Sequence, residues 1–325
     1  MNCPEKSSHG RRAIGGYFEL ELRRGRHYHE GAMRLNTARN CFEYVLLARK
    51  YRKVYIPYYT CEVMLQPLHR HGVEYEFYHI NERLEPVTLP ALKEGEAFLY
   101  TNYFGIKQAY VRNLVQVYGD QLIVDDSQAF YAPRPDGVDT FYSPRKFFGV
   151  PDGGYLYTDC ECELELQQDK SVARMKHLMQ RIEDGPEQGY STFHSDEEML
   201  DNLPVMRMSE LTERLLENID YEMVKERRRD NFSFMQTNLS GMMTFELASD
   251  DVPLIYPYYT ERRDSVYESL ILQRIYVPTY WSNVKNWCDD TSVEGSLMSH
   301  MIFLPVDQRY DESDMERMVK IIRSK

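Results

Sequence analysis

One stretch of the chain sets an acid, a lysine and a pair of glycines in an order that suits a particular chemistry. Asp125-Asp126-Ser127-Gln128 follows a β-type run, Gln121-Leu122-Ile123-Val124. Further on stands Ser143-Pro144-Arg145-Lys146, and then Asp152-Gly153-Gly154 leads into a second β-type run, Tyr155-Leu156-Tyr157. A carboxylate at a strand end can hold a protonated ring nitrogen. A lysine amine on the next loop can bond an aldehyde carbon and later carry a proton as general base and acid. Together they suit an aromatic aldehyde cofactor, pyridoxal 5'-phosphate, with Asp125 on the pyridine nitrogen and Lys146 on the aldehyde. A lone lysine or acid is ordinarily a solvated surface charge. Lys146 stands apart through its spacing to Asp125 and to Gly153-Gly154.

The elements that must position these residues are legible as alternation. Val54–Ile56 reads as a strand, Cys61–His71 as a helix with Val63, Met64, Pro67 and Leu68 near its apolar side, and Val73–Ile80 as a strand. Strands at Ala97–Tyr100 and Leu122–Val124 flank a helix at Tyr110–Tyr118. Such alternation predicts an α/β fold with a mostly parallel sheet and helices on both faces. Ligands in such sheets bind beyond the carboxyl ends of the strands, where Asp125 falls. A longer helix is expected from Ser209, its N-cap, with Leu211, Leu215, Ile219 and Met223 recurring every fourth residue. It would join a large domain, residues 1–218, to a smaller C-terminal α/β domain, residues 219–325. The latter would hold strands at Pro253–Tyr256, Ile275–Tyr280 and Met301–Leu304 and a final helix over Ser313–Arg323. The polar, aperiodic stretch Asp184–Leu203 reads as a loop near an active site or a partner subunit.

Composition narrows the function classes. The 325 residues are enough for two packed domains, and 42% hydrophobic with 28% charged is ordinary for a globular chain. Thirty-nine basic against fifty-one acidic residues give −12, which argues against nucleic acid as a partner. Arginine clusters at Arg11-Arg12, Arg23-Arg24 and Arg227–Arg229 can still serve a small anion locally. No apolar run has the length of a membrane helix, and the polar first twelve residues lack a signal peptide's apolar centre. The reading is therefore a cytoplasmic protein with no membrane partner. Six cysteines without a Cys-x-x-Cys pair suggest reduced thiols. His27-x-His29, His69-x-His71 and Cys160-x-Cys162 lack further ligands at recognisable spacing, so no metal is expected.

With these residues in place, the chain resembles the fold-type-I pyridoxal-phosphate enzymes, specifically the sugar aminotransferases of the DegT/StrS type, over about residues 14–325. Leu35-Asn36-Thr37-Ala38 resembles the family's Ser-Gly-Thr-Ala phosphate loop, and Val54–Thr60 its Val-Ile-x-Pro-x-x-Thr strand and turn. Asn102-Tyr103-Phe104-Gly105, Asp125-x-x-Gln128, Lys146 with its trailing glycines, Arg207-Met208-Ser209-Glu210 and Arg227-Arg228 match further segments in order. The resemblance implies that Gln128 contacts the cofactor's phenolic oxygen. It also implies that Thr37, Ala38 and Ser143 bind the phosphate at a helix N-terminus.

Four positions depart from the pattern. Asn36 replaces a glycine, Phe141 a serine, and Val205 an asparagine that reaches the partner subunit's phosphate. Cys61 stands where an aromatic stacks on the cofactor ring, which leaves Tyr59 or Tyr58 for that role. The implied activity is transfer of an amino group, from glutamate, to a nucleotide-linked keto sugar by a homodimer with shared active sites. The alternatives are a sugar dehydratase or lyase, against which the retained Lys146 counts because the family's dehydratases carry histidine there, and a degenerate member that only binds ligand.

Overall fold

The computed structural model describes residues 14–239, 241, 243 and 245–325, so the polar N-terminal stretch with Cys3, Arg11 and Arg12 lies outside the described residues. Thr37 starts the first helix as a side-chain cap: its Oγ1 accepts from the Asn40 amide at 3.0 Å. From β1 (Met33–Leu35) the chain passes into α1 (Ala38–Arg49), which Lys50 ends in the left-handed conformation. The continuation is β2 (Lys53–Pro57), α2 (Leu65–His71), β3 (Glu74–Tyr78), β4 (Glu96–Thr101), α3 (Gln108–Tyr118), β5 (Leu122–Asp126), β6 (Asp139–Tyr142) and β7 (Gly154–Tyr157). These strands form a seven-stranded sheet among the described residues, in the order β1-β7-β6-β5-β4-β2-β3. The pairs β3–β2–β4–β5–β6 are all parallel, and β7 runs antiparallel to both β6 and β1.

The sheet explains where the acids sit. Every residue of β5 is buried, as expected of a central parallel strand covered on both faces. Alternation sends Asp125 to the face of Ile123, which packs with α1, and Asp126 to the face of Val124. The sheet is therefore the mostly parallel α/β arrangement that the alternation predicts, with α1 and α2 packed in one layer and α3 in the other.

The second half is α4 (Lys176–Glu183), α5 (Pro186–Glu198), α6 (Glu210–Leu216), α7 (Tyr221–Asn238), β8 (Ile255–Tyr259), α8 (Arg263–Leu272), α9 (Val293–His300), β9 (Met301–Pro305) and α10 (Glu312–Arg323). The strands β8 and β9 pair as a separate antiparallel ribbon. The final helix is closed by a capping box, Asp311 with Asp314.

Three expectations need correction. Asp184–Leu203 is mostly helix, not loop: Pro186 occupies the first turn of α5, and Gly189 lets α5 approach α4 so closely that a Cβ there would lie 3.2 Å from the His177 carbonyl. His177 then bonds Asp196 at 2.6 Å, so polar tertiary contacts hold a helix that has no apolar stripe. The helix from Ser209 does begin there, with the Thr212 amide bonded to Ser209 Oγ, but it ends at Leu216 and restarts at Asp220, whose carboxylate caps α7. Its buried residues are Thr212 and Leu216, while Met223 is 46% exposed. Ile275–Tyr280 pairs with no strand among the described residues.

Candidate functional site

At the carboxyl end of β5 the Asp125 carboxylate is 5% exposed and accepts the Ser127 amide at 2.9 Å. Burial pushes its pKa up, opposed by the Ser127 hydrogen bonds and by the positive charge of Lys146. Lys146 closes a short 3-10 turn, Pro144–Lys146, directly after β6, and is an exposed residue. Burial likewise raises the Cys61 thiol, again opposed by the charge of Lys146. The charge of Lys146 thus reaches both an acid at the end of β5 and a thiol just after β2. The Lys146 Nζ lies 5.7 Å from the centre of the Tyr280 ring. Sequence offered no sign of Tyr280: it comes from the segment read as a strand, and only the tertiary fold brings it beneath the amine.

The double glycine has a steric reason. Gly153 has φ +122° and donates to the Asn36 carbonyl at 2.6 Å, and a Cβ on Gly154 would fall 2.6 Å from the Thr37 carbonyl. Only glycine lets β7 lie against the turn that starts α1. Asp152 beside it is fully buried and accepts from the Ser209 amide at 2.8 Å and the Ser209 hydroxyl at 2.6 Å, locking α6 to the same corner.

Gln128 is 1% exposed, and its Oε1 accepts the amide of Phe104 at 3.0 Å, a residue held at φ +57°. Its Nε2 is buried with no partner among the described residues. An orphaned buried donor costs about 1–3 kcal/mol, and an acceptor such as a phenolate oxygen would remove that cost. This orphan, together with the buried Asp125 carboxylate, fits pyridoxal phosphate. Asp125, Gln128 and Lys146 are the residues that would hold its ring nitrogen, phenolic oxygen and aldehyde carbon.

The phosphate side is less provided for. Thr37 spends its hydroxyl on Asn40, donating to Oδ1 at 2.6 Å while accepting from the amide, so α1 offers its first backbone amides, including that of Ala38, in place of a free hydroxyl. Ser143 is 7% exposed and its hydroxyl caps no backbone amide. Phe141, in register with Asp125, is fully buried against Phe42 at 6.0 Å, and Val205 packs into the same apolar layer. Neither can bind an anion. Asn36 has a different use from the glycine it replaces: its side chain donates to the Pro204 carbonyl at 3.1 Å and accepts the Met206 amide at 3.2 Å, pinning that segment to the turn before α1.

The aromatic stacking role is not available to the tyrosines expected to take it. Tyr59 is fully enclosed, edge-on to Trp281 at 4.7 Å, and presents no face to the site. Tyr58 stacks on Phe77 at 4.6 Å and lies 4.5 Å from His79. The ring nearest Lys146 Nζ among the described cation–ring pairs is that of Tyr280, at 5.7 Å, and the Cys61 thiol feels the charge of the same amine.

Behind the lysine turn sits Arg228 of α7, 1% exposed. Its guanidinium donates to the carbonyls of Pro253 and Leu254 and to Gln308 Oε1, and lies 4.5 Å over the Phe147 ring. Gln308 in turn donates to the Phe147 carbonyl at 2.8 Å. Burial pushes the Arg228 pKa down to about 10, so the group remains charged at neutral pH. It ties the lysine turn to β8 and to the segment after β9.

No family model matches the chain, and no curated protein matches it. Solved structures do resemble it in fold. A crystal structure of DesV from S. venezuelae in complex with a ketimine intermediate superposes with a TM-score of 0.61 at 17% identity, covering 90% of this chain and 84% of that one. A DegT DnrJ EryC1 StrS aminotransferase from Brucella abortus gives 0.62 at 16% identity, covering 90% and 85%. The sugar aminotransferase CalS13 from Micromonospora echinospora gives 0.60 at 14%, covering 90% and 87%. The fold is therefore that of these sugar aminotransferases, the fold-type-I α/β arrangement.

Proposed function

We propose that the chain is a pyridoxal-phosphate-dependent aminotransferase that moves an amino group, with glutamate as donor, onto a nucleotide-linked keto sugar. This reading is supported by the buried Asp125 carboxylate, which feels the charge of Lys146, and by the orphaned Gln128 Nε2 three residues on, in a chain with the fold of sugar aminotransferases. When bound, the cofactor would supply a sink for the electron pair left as an amino-bearing carbon loses its proton. The chain's own residues do the rest. Asp125 would keep the ring nitrogen protonated, Gln128 would donate to the phenolic oxygen, and the first amides of α1 with Ser143 would bind the phosphate. Lys146 Nζ takes the substrate proton and returns it. The retained lysine counts against a dehydratase or lyase.

The test is direct. Protein loaded with the cofactor and treated with borohydride should carry the label on Lys146. In a separate assay, unreduced cofactor-loaded protein should convert glutamate to 2-oxoglutarate in the presence of a nucleotide-linked keto sugar. A labelled Lys146 with no oxo-acid release under any acceptor would leave a ligand-binding member without turnover and sink the transaminase reading.

The same reading takes the chain as a homodimer, divided into a large domain, 1–218, and a smaller one, 219–325. Support for the dimer is the apolar exposure around α4 and α5, where Val172, Met179, Ile182 and Tyr190 are 53–85% exposed. The break between α6 and α7 supports the division. Sedimentation at micromolar concentration should give twice the chain mass; a cofactor-bearing monomer would overturn the shared-site arrangement. No helix among the described residues is long and apolar enough to cross a membrane.

A further inference from the structure

Away from Lys146, three segments bring together a nitrogen, a sulfur and an oxygen donor. His79 follows β3, Cys288 precedes α9, and Glu294 lies in the first turn of α9. One ligand atom of each lies within 4.8 Å of the other two. We propose that His79 Nδ1, Cys288 Sγ and the Glu294 carboxylate form a binding site for a divalent transition ion of zinc type, which joins the strand ends of the large sheet to the α9 region.

The burial of Glu294 is the first argument. Its residue is 0% exposed, and its only ion-pair partner among the described residues is His79, at 3.1 Å, whose own side chain is 55% exposed. A buried carboxylate without lysine or arginine calls for a cation. The Ile80 amide donates to Glu294 Oε1 at 2.7 Å, which fixes the carboxylate plane, as outer-shell hydrogen bonds do at metal sites. The His79 Nδ1–Glu294 Oε2 separation of 3.1 Å is close to the edge of a tetrahedral shell, roughly 3.3 Å for bonds of about 2.0 Å.

Positioning of the other two donors is built in. The His79 ring lies 4.5 Å from the Tyr58 ring, so an exposed imidazole is still held on one face. Cys288 is brought to Glu294 by a tight turn: Ser292 donates its amide to the Asp289 carbonyl at 2.9 Å, and a Cβ on Gly295 would fall 2.3 Å from that carbonyl. Only glycine allows this approach. A salt bridge between His79 and Glu294 would need neither the thiol nor the turn. The half-exposed side of His79 leaves the fourth tetrahedral position to water. His, Cys and Glu in this ratio suit zinc, with cobalt(II) as its spectroscopic substitute. The set is spread over more than two hundred residues of sequence, so no spacing motif reveals it.

The site does not depend on the cofactor reading, and its test is a titration of the full chain, stripped by chelator, with cobalt(II). A difference spectrum against the metal-free protein should show tetrahedral d–d bands and a thiolate charge-transfer band, saturating at one ion per chain and bleached by zinc. Cys288→Ser should lose the charge-transfer band. His79→Ala, a change at a half-exposed position, should weaken binding by at least about tenfold. Glu294→Gln, which keeps an oxygen for the Ile80 amide, should weaken it too. Absence of the thiolate band in the unaltered protein, or its persistence in Cys288→Ser, would overturn the site. So would unchanged affinity in His79→Ala.

Discussion

Lys146→Ala should lower both half-reactions by several orders of magnitude while leaving pyridoxamine phosphate bound. One amine serves as the covalent partner of the aldehyde and as the proton carrier, and removing it takes away two functions at once. The contacts that would hold the amine form of the cofactor, Asp125, Gln128 and the start of α1, come from β5, the loop after it and a separate helix, so the substitution leaves them intact. Lys146 is an exposed residue with no hydrogen bond or ion pair from its side chain among the described residues, so stability should change little. The measurement is single-turnover conversion with glutamate, alongside equilibrium dialysis of pyridoxamine phosphate. Lys53 and Lys107 are committed elsewhere, to Glu76 at 2.6 Å and to Glu85 at 2.7 Å, so neither is placed to substitute. Turnover that survives in Lys146→Ala would refute the mechanism as a whole.

What could be read from the sequence follows a physical division. The strand at Leu122–Val124 was legible because a central parallel strand is an unbroken apolar run, and the two acids after it, which extend β5 to Asp126, are conspicuous. Gly153-Gly154 stood out through its spacing to Lys146, but the close approach of Gly154 to Thr37 that requires it became visible only in the fold. The helix α5 was not, because it is held by Gly189 against α4 and by His177 with Asp196, contacts that leave no periodic trace. Nor did the fourfold repeat of Leu211, Leu215, Ile219 and Met223 reveal the break that Asp220 makes by capping a new helix. Tyr280 and the buried Arg228 reach the lysine turn only through tertiary packing. The departures at Asn36 and Phe141 became intelligible once their neighbours were visible. Asn36 bonds the Pro204–Met206 segment, and Phe141 fills the layer under α1 that Phe42 also fills.

Asp125→Asn should keep the cofactor bound yet lower kcat by roughly 10²–10³-fold, the scale of losing one preorganised electrostatic partner. The amide is isosteric and its oxygen can still accept the Ser127 amide, so the fold around β5 is preserved. It cannot, however, hold a proton on the ring nitrogen, and the ring then accepts electron density poorly. The neighbouring Asp126 supplies the control. It is 1% exposed, faces the opposite side of the strand and accepts from Asn102 Nδ2 at 2.9 Å, with its second oxygen unpartnered among the described residues. Burial holds its pKa well above the usual carboxylate range, and its place on the other face of β5, bonded to Asn102, gives it a structural role. Asp126→Asn should therefore leave kcat within a few-fold. Steady-state rates on both variants, with the cofactor's absorbance followed through a pH titration, separate the two roles. The reverse outcome, activity kept in Asp125→Asn and lost in Asp126→Asn, would mean that the carboxylate on the ring comes from the other face of β5.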